Sequence, residues 1–246
     1  MPAIIYKVLK DNKIDLDLIG VRLSSRAKRL IYKSSLLKGV EIVVPKNADL
    51  SRVAKITEAR ITWIRNEQRK VIEGRSQLKP DRIEFNALGE NWTLKYVPKD
   101  NRLFEGDNCS LTLGLNTDDI FYSARKLQNW FQNKARETLI PWITLLAENR
   151  GLSFNRVFIK NQTSLWGSCS AKRNINLNRN LLFISPLLVE YVLHHELTHL
   201  VYMNHSNKFW RAFCLILPNC KELQEEIRSH KPEDIPLWAS PGIKNI

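Results

Sequence analysis

Leu193-His194-His195-Glu196-Leu197-Thr198-His199-Leu200 contains three of the chain's five histidines. Only one register in it gives H-E-x-x-H, namely His195, Glu196 and His199. Pro186 seven residues earlier is a natural first residue for a helix, because a proline there costs no hydrogen bond. On such a helix, residues four apart differ by about 40° in azimuth and one turn in height. The imidazoles of His195 and His199 can then converge on one ion about 2 Å from each nitrogen. Glu196 lies beside that face, placed to take a proton from water rather than to act as a ligand. The chemistry of such a constellation is hydrolysis: a divalent transition metal, zinc by preference, acidifies a water and the carboxylate removes its proton.

A third ligand is needed, and His205 follows His199 by six residues, the spacing of the third histidine in metzincin-type sites. An unbroken helix would carry His205 about 15 Å along the axis from His195 and about 120° round from His199. The helix must therefore end between them and the chain fold back. Metzincins have glycine three residues after the second histidine, whereas this chain has Tyr202. Asn204 is the residue best suited to a left-handed turn in that segment.

Outward from this stretch, Asn207–Leu217 and Lys221–Ser229 read as further helices, and Val157–Lys160 and Asn174–Asn178 as short strands. Leu127, Trp130, Phe131, Ala135, Leu139, Trp142 and Leu146 form an apolar stripe at helical spacing from Asp118 to about Arg150. Pro141 falls inside it as a kink or break, and Gly151 is its stop. Nearer the N-terminus, Ile4-Tyr6-Val8 and Ile14-Leu16-Leu18 alternate as strands do, and Val40–Val44 is a strand ending at Pro45 after a turn at Lys38-Gly39. Ser51 to about Glu73 reads as one helix capped by Asp49 or Ser51. Arg82–Phe85 and Trp92–Val97 read as strands, and the polar stretch Pro98–Asn108 as a loop. The expected architecture is α+β: a strand-rich basic N-terminal part over 1–117 and a helical, zincin-like metal-site part over 118–246.

With 246 residues and 43% hydrophobic content, the chain can bury a core, which excludes global disorder. Its net formal charge is +13. Residues 151–246 hold 11 basic and 7 acidic residues, which leaves a surplus of nine for residues 1–150. That sign suits an anionic substrate or partner: a nucleotide, a nucleic acid or an acidic protein surface. Arg22, Arg26, Lys28 and Arg29 form the densest basic run, and Arg26, Lys28 and Arg29 are candidate phosphate contacts. A solvated basic face is the alternative, and no aromatic residues interleave regularly as a base-stacking platform would require. No run approaches the roughly 18 apolar residues of a membrane span. None of Cys109, Cys169, Cys214 and Cys220 forms a C-x-x-C pair. They are therefore expected to be unpaired thiols in a reduced, cytoplasmic protein.

Ser164-Leu165-Trp166-Gly167-Ser168-Cys169-Ser170, then Ile175-Asn176-Leu177-Asn178 and Leu181, resembles the YgjP-like metal-dependent hydrolases. So does Tyr191 through Leu200, followed by Asn204-His205-Ser206 and Phe209-Trp210. The likeness is densest over residues 164–210 and extends more weakly upstream. Members usually carry arginine before W-G-S-C, where this chain has Leu165. The resemblance implies His195, His199 and His205 as ligands and Glu196 as the catalytic acid/base. It also implies either of two activities, a zinc metallopeptidase or a nucleotide pyrophosphatase acting on UTP. Peptidase chemistry has the clearer precedent in H-E-x-x-H, and phosphoanhydride hydrolysis is the rival. A nucleic-acid-binding module with a structural metal is a third class, opposed by Glu196 and by the want of a fourth ligand. Trp166 and Ser168 read either as a strand edge beside the metal that polarises the substrate or as a tight turn packing Trp166 inward. Tyr202 and Tyr191 are candidate oxyanion donors.

Overall fold

The computed structural model describes residues 2–98, 102–115, 119–232 and 234–240. The chain divides into two compact units, Met1–Leu78 and Lys79–Ile246. Both mix helix and strand, so the fold is α+β.

The first unit runs α1 (Ala3–Asp11), a 3-10 turn (Leu16–Leu18), β1 (Ile19–Ser24), β2 (Ile31–Ser35), β3 (Gly39–Pro45), α2 (Leu50–Ala59) and α3 (Ile61–Ser76). Its sheet has the order β1-β3-β2, with β1 parallel and β2 antiparallel to β3. The turn into β3 needs Gly39, whose φ is +68° and where a Cβ would overlap the Leu18 carbonyl. Two expectations change here. Ile4-Tyr6-Val8 is helical, because the buried residues are Ile5 and Leu9, four apart, while Ile4 faces solvent. Ile14-Leu16-Leu18 enters the 3-10 turn, capped by the Asp15 side chain. The long helix expected after Asp49 is two helices meeting at Arg60, with Asp49 accepting from the Ser51 amide at 2.9 Å. Residues 1–78 hold 17 basic and 8 acidic residues, whereas residues 79–150 hold 10 of each. The basic surplus thus belongs to this unit.

The second unit begins with β4 (Arg82–Phe85), β5 (Glu90–Pro98), β6 (Leu103–Gly106) and β7 (Ser110–Leu115), in sheet order β4-β5-β7-β6. β6 lies inside the stretch read as a loop, of which residues 99–101 fall outside the described residues. The start expected at Asp118 falls outside them too, and α4 (Ile120–Asn149) is capped by Asp119. α4 continues through Pro141 and stops before Gly151, whose φ is +61°. Ile83, Phe85, Trp92, Leu94, Leu111 and Leu113 share one core with Leu127, Trp130 and Phe131 of α4. Residues 79–117, read from the sequence with the N-terminal part, therefore group with the helical part. A strand's apolar face needs a partner, and the α4 stripe supplies it.

Next come β8 (Arg156–Lys160), β9 (Gly167–Cys169) and β10 (Asn174–Asn178), in the order β8-β10-β9, and then α5 (Pro186–His199), α6 (Asn207–Ile216) and α7 (Cys220–Ser229). The Ser185 hydroxyl caps α5, with Pro186 in its first turn. Cys214 on α6 and Cys220 on α7 form a disulfide, against the expectation of four unpaired thiols; Cys109 and Cys169 are free. The short turn between the two helices brings their Cα atoms to 5.4 Å, within disulfide reach. No helix among the described residues is long and apolar enough to cross a membrane.

Arg179 is fully buried and has no carboxylate partner among the described residues. Its guanidinium donates to the Gln128 carbonyl of α4 at 3.1 Å and to the Ala239 carbonyl at 2.7 Å, and it lies over the Phe131 ring. Gln128 in turn donates to the carbonyls of Trp238 and Ser240. Together they pin the C-terminal segment onto α4, and burial holds the Arg179 pKa down at about 10. Arg179→Ala removes one donor from each of two buried carbonyls and leaves a cavity. It should lower the unfolding free energy by about 3 kcal/mol, read as a lower urea midpoint.

Candidate metal centre

α5 is buried on nearly every side, and Arg150 at the end of α4 braces it. The Arg150 guanidinium donates to the His194 carbonyl and the Thr198 hydroxyl, each at 3.3 Å. Beyond His199 the backbone tightens: Leu200 donates to Leu197, and both Val201 and Tyr202 to Thr198. The chain then folds back to start α6. It does so without a left-handed residue at Asn204, contrary to expectation; the non-glycine residues with positive φ among those described are Lys13, Asn108, Cys109 and Arg173. The tightened last turn reverses the chain over several residues, so no single one needs the strained conformation.

The fold-back brings His205 to the other two histidines. His195 Nε2 lies 3.2 Å from His199 Nε2 and 2.9 Å from His205 Nε2. His199 Nδ1 is 3.0 Å from the Tyr202 carbonyl, an acceptor, so the Nδ1 proton is donated there and the Nε2 lone pair points inward. Phe209 of α6 packs against all three imidazoles, at centroid distances of 4.9, 4.7 and 4.8 Å. It forms a shared apolar floor. Burial, reinforced by the neighbouring imidazoles, depresses the His195 pKa to about 3 and lowers that of His199. Both rings are thus neutral at neutral pH, the form that ligates.

The donor set fits a metal ion. Four-coordinate zinc with bonds of 2.0–2.1 Å places its ligand nitrogens roughly 3.3 Å apart, close to the separations found here. Three imidazoles with one position left open is the composition of a catalytic rather than a structural zinc site.

Glu196 is 4% exposed, and its Oε2 has no hydrogen-bond partner among the described residues. Burial pushes its carboxyl up to about 8, and a cation at the triad would draw that value down again. β9 presses on it from above. A Cβ at Gly167 would lie 2.7 Å from Glu196 Oε1 and 2.8 Å from its Cγ, so this glycine is what allows the strand to lie against the carboxylate.

A cleft of about 230 Å³ opens on this arrangement, lined by Trp166, Gly167, Tyr191 and Val192, by His195 and Glu196, and by Gln224, Ile227 and Arg228 of α7. Trp166 therefore faces the site, its indole donating to the His230 carbonyl at 3.1 Å. Ser168 accepts from Asn176 at 3.0 Å and is absent from the cleft lining. Tyr202 contributes through its backbone carbonyl, whereas Tyr191 lines the cleft with its side chain. His194 is buried outside the triad, and His230 is exposed. Arg26, Lys28 and Arg29 lie in the first unit, between β1 and β2. Phe209 was legible in the sequence only as part of a resemblance, and Gln224 and Arg228 carried no signal there.

The profile described as YgjP-like, metallopeptidase domain, matches residues 29–230, which covers most of the chain and the whole triad. The chain belongs to the YgjP-like family. It is accordingly a metal-dependent hydrolase. No curated protein matches it. The YgjP-like match begins at Arg29, so α1, β1, Arg26 and Lys28 precede it.

Two variants separate binding from positioning. His205→Ala should reduce bound metal from about one ion per chain to a trace, by elemental analysis after dialysis, because two imidazoles hold zinc poorly. Gly167→Ala should keep the metal but lower turnover at least about tenfold, since a displaced Glu196 carboxylate loses its alignment with the triad.

Proposed function

We propose that this YgjP-like hydrolase is a zinc-dependent peptidase in which His195, His199 and His205 hold the ion and Glu196 is the general base. Bound zinc supplies a Lewis acid that polarises a carbonyl and acidifies water. The protein's own part is to hold Glu196 under Gly167, shielded from solvent, where its free Oε2 can accept a proton and pass it to a leaving amine. Tyr191 and Trp166 flank the substrate in the cleft.

The observation that favours a peptide is the outer edge of β9. β9 is the last strand of its sheet, paired antiparallel to β10 alone. The amides of Asn178 and Ser170 donate to the carbonyls of Trp166 and Asn174, which marks Trp166 and Ser170 as residues of hydrogen-bonded pairs. Such pairs alternate along an antiparallel ladder, so Gly167 and Cys169 turn their amides and carbonyls away from β10. These groups form an open edge beside Glu196, and an extended peptide is the ligand that matches a strand edge by continuing its ladder. A triphosphate needs several cations around the reacting phosphates. Among the described lining residues of the cleft, Arg228 is the one basic side chain. A structural-metal module is disfavoured by the three-ligand set and the buried carboxylate.

Zinc-loaded protein should cleave a mixed-sequence peptide library, followed by mass spectrometry, and leave nucleoside triphosphates intact. Glu196→Gln should retain the metal and lose at least about a thousandfold in kcat. Arg26→Gln, Lys28→Gln and Arg29→Gln combined should leave cleavage of a neutral peptide unchanged. Triphosphate hydrolysis without peptide cleavage would retire this reading.

A further inference from the structure

The charge of Arg228 is not used by anything described so far. It sits in the last turn of α7, whose residues Gln224, Ile227 and Arg228 face the cleft that holds His195 and Glu196. Gln224 and Arg228 are four apart and so stand on one side of the helix. Among the described residues no carboxylate pairs with Arg228 and no group accepts a hydrogen bond from it, although α7 also carries Glu222, Glu225 and Glu226. Burial raises the Tyr191 pKa to about 12, and the Arg228 charge across the cleft opposes part of that rise.

We propose that Arg228 is the specificity residue of the cleft, binding a carboxylate of the substrate peptide while the reacting carbonyl lies at the triad. The proposal rests on the peptidase reading for the identity of its ligand. The rest of the described lining is apolar or uncharged except for His195 and Glu196. A forked guanidinium in such surroundings pairs with an anion that accepts two parallel hydrogen bonds, and in a peptide that anion is a carboxylate. With neutral imidazoles around a divalent cation, the cleft has a net positive charge despite Glu196, which also favours an anionic ligand. The carboxylate can belong to an acidic side chain or to a free C-terminus. The first would make the enzyme an endopeptidase selective for acidic sequences, and the second a carboxypeptidase.

The test is equilibrium binding, by calorimetry, to zinc-loaded protein carrying Glu196→Gln so that nothing is cleaved. The probes are an acetylated, amidated hexapeptide of alanine and phenylalanine, the same peptide with a free C-terminus, and amidated versions with glutamate placed two residues before or after the phenylalanine. At least one carboxylate-bearing peptide should bind roughly tenfold or more tightly than the neutral one at low salt. That preference should vanish on Arg228→Gln, survive in part on Arg228→Lys, and turn against the acidic peptide on Arg228→Glu. The neutral peptide should bind all four proteins alike. Which probe gains identifies the source of the carboxylate. Equal binding of neutral and acidic peptides, no binding of any peptide, or an equal loss for all peptides on Arg228→Gln would overturn the proposal. Failure of the peptidase reading looks different: acidic peptides would bind through Arg228 and remain uncut by the enzyme that retains Glu196.

Discussion

Three imidazoles can meet at one point only if the helix carrying two of them stops before the third. Everything around the centre serves that requirement. α5 is anchored at its start by Ser185 and Pro186 and braced at its far end by Arg150, so His195 and His199 present one fixed edge. The Thr198 carbonyl then accepts the amides of Val201 and Tyr202, which closes the last turn and sends the chain back. The same reversal places the Tyr202 carbonyl against His199 Nδ1, so one stretch of backbone both turns the chain and sets the tautomer. Phe209, four residues past His205, then seals the floor.

The second constraint acts from the opposite side. Glu196 is shielded from solvent by a strand laid directly on it, the condition that the proposed role as general base requires. Such closeness needs a residue without a side chain, and Gly167 supplies it. Among the described residues β9 ends its sheet, so the strand that covers Glu196 also has an outer backbone edge. In the proposed reading, shielding the base and receiving the substrate are two uses of one short strand. The sheet supports this by fastening β9 through β10 to β8, with the Asn178 side chain holding the approach to β9 by its bonds to the Gln162 and Leu165 carbonyls.

The two units differ in chemical character. The metal-site unit carries balanced charge through residue 150 and a modest basic excess beyond it, whereas the first unit concentrates the basic residues on a small sheet and its helices. The sequence does not divide that surplus at Leu78, because Arg82–Phe85 and Trp92–Val97 look like a continuation of the strands before them. Their apolar faces in fact pack on α4, and composition alone does not say which partner a strand face will find.

What could be read from the sequence was whatever depends on local spacing. H-E-x-x-H places two histidines and a carboxylate on a helix because the α-helical repeat is fixed. The same logic located β10, the apolar stripe of α4, its stop at Gly151 and the helices after His205. It also required a chain reversal before His205. Short apolar patterns were another matter. Ile4-Tyr6-Val8 fits period two as well as Ile5 and Leu9 fit a helix, and only the core of the first unit decides between them. The reversal was expected to need a left-handed Asn204, but the local hydrogen bonds spread it over a tightened turn. The surroundings of Glu196 could not be read at all. Gly167 lies 29 residues before it, and Arg228 lies 32 residues after it on a helix whose placement depends on packing against α5 and α6. Contacts between residues so far apart are set by which surfaces bury each other, and that was decided only when the chain folded.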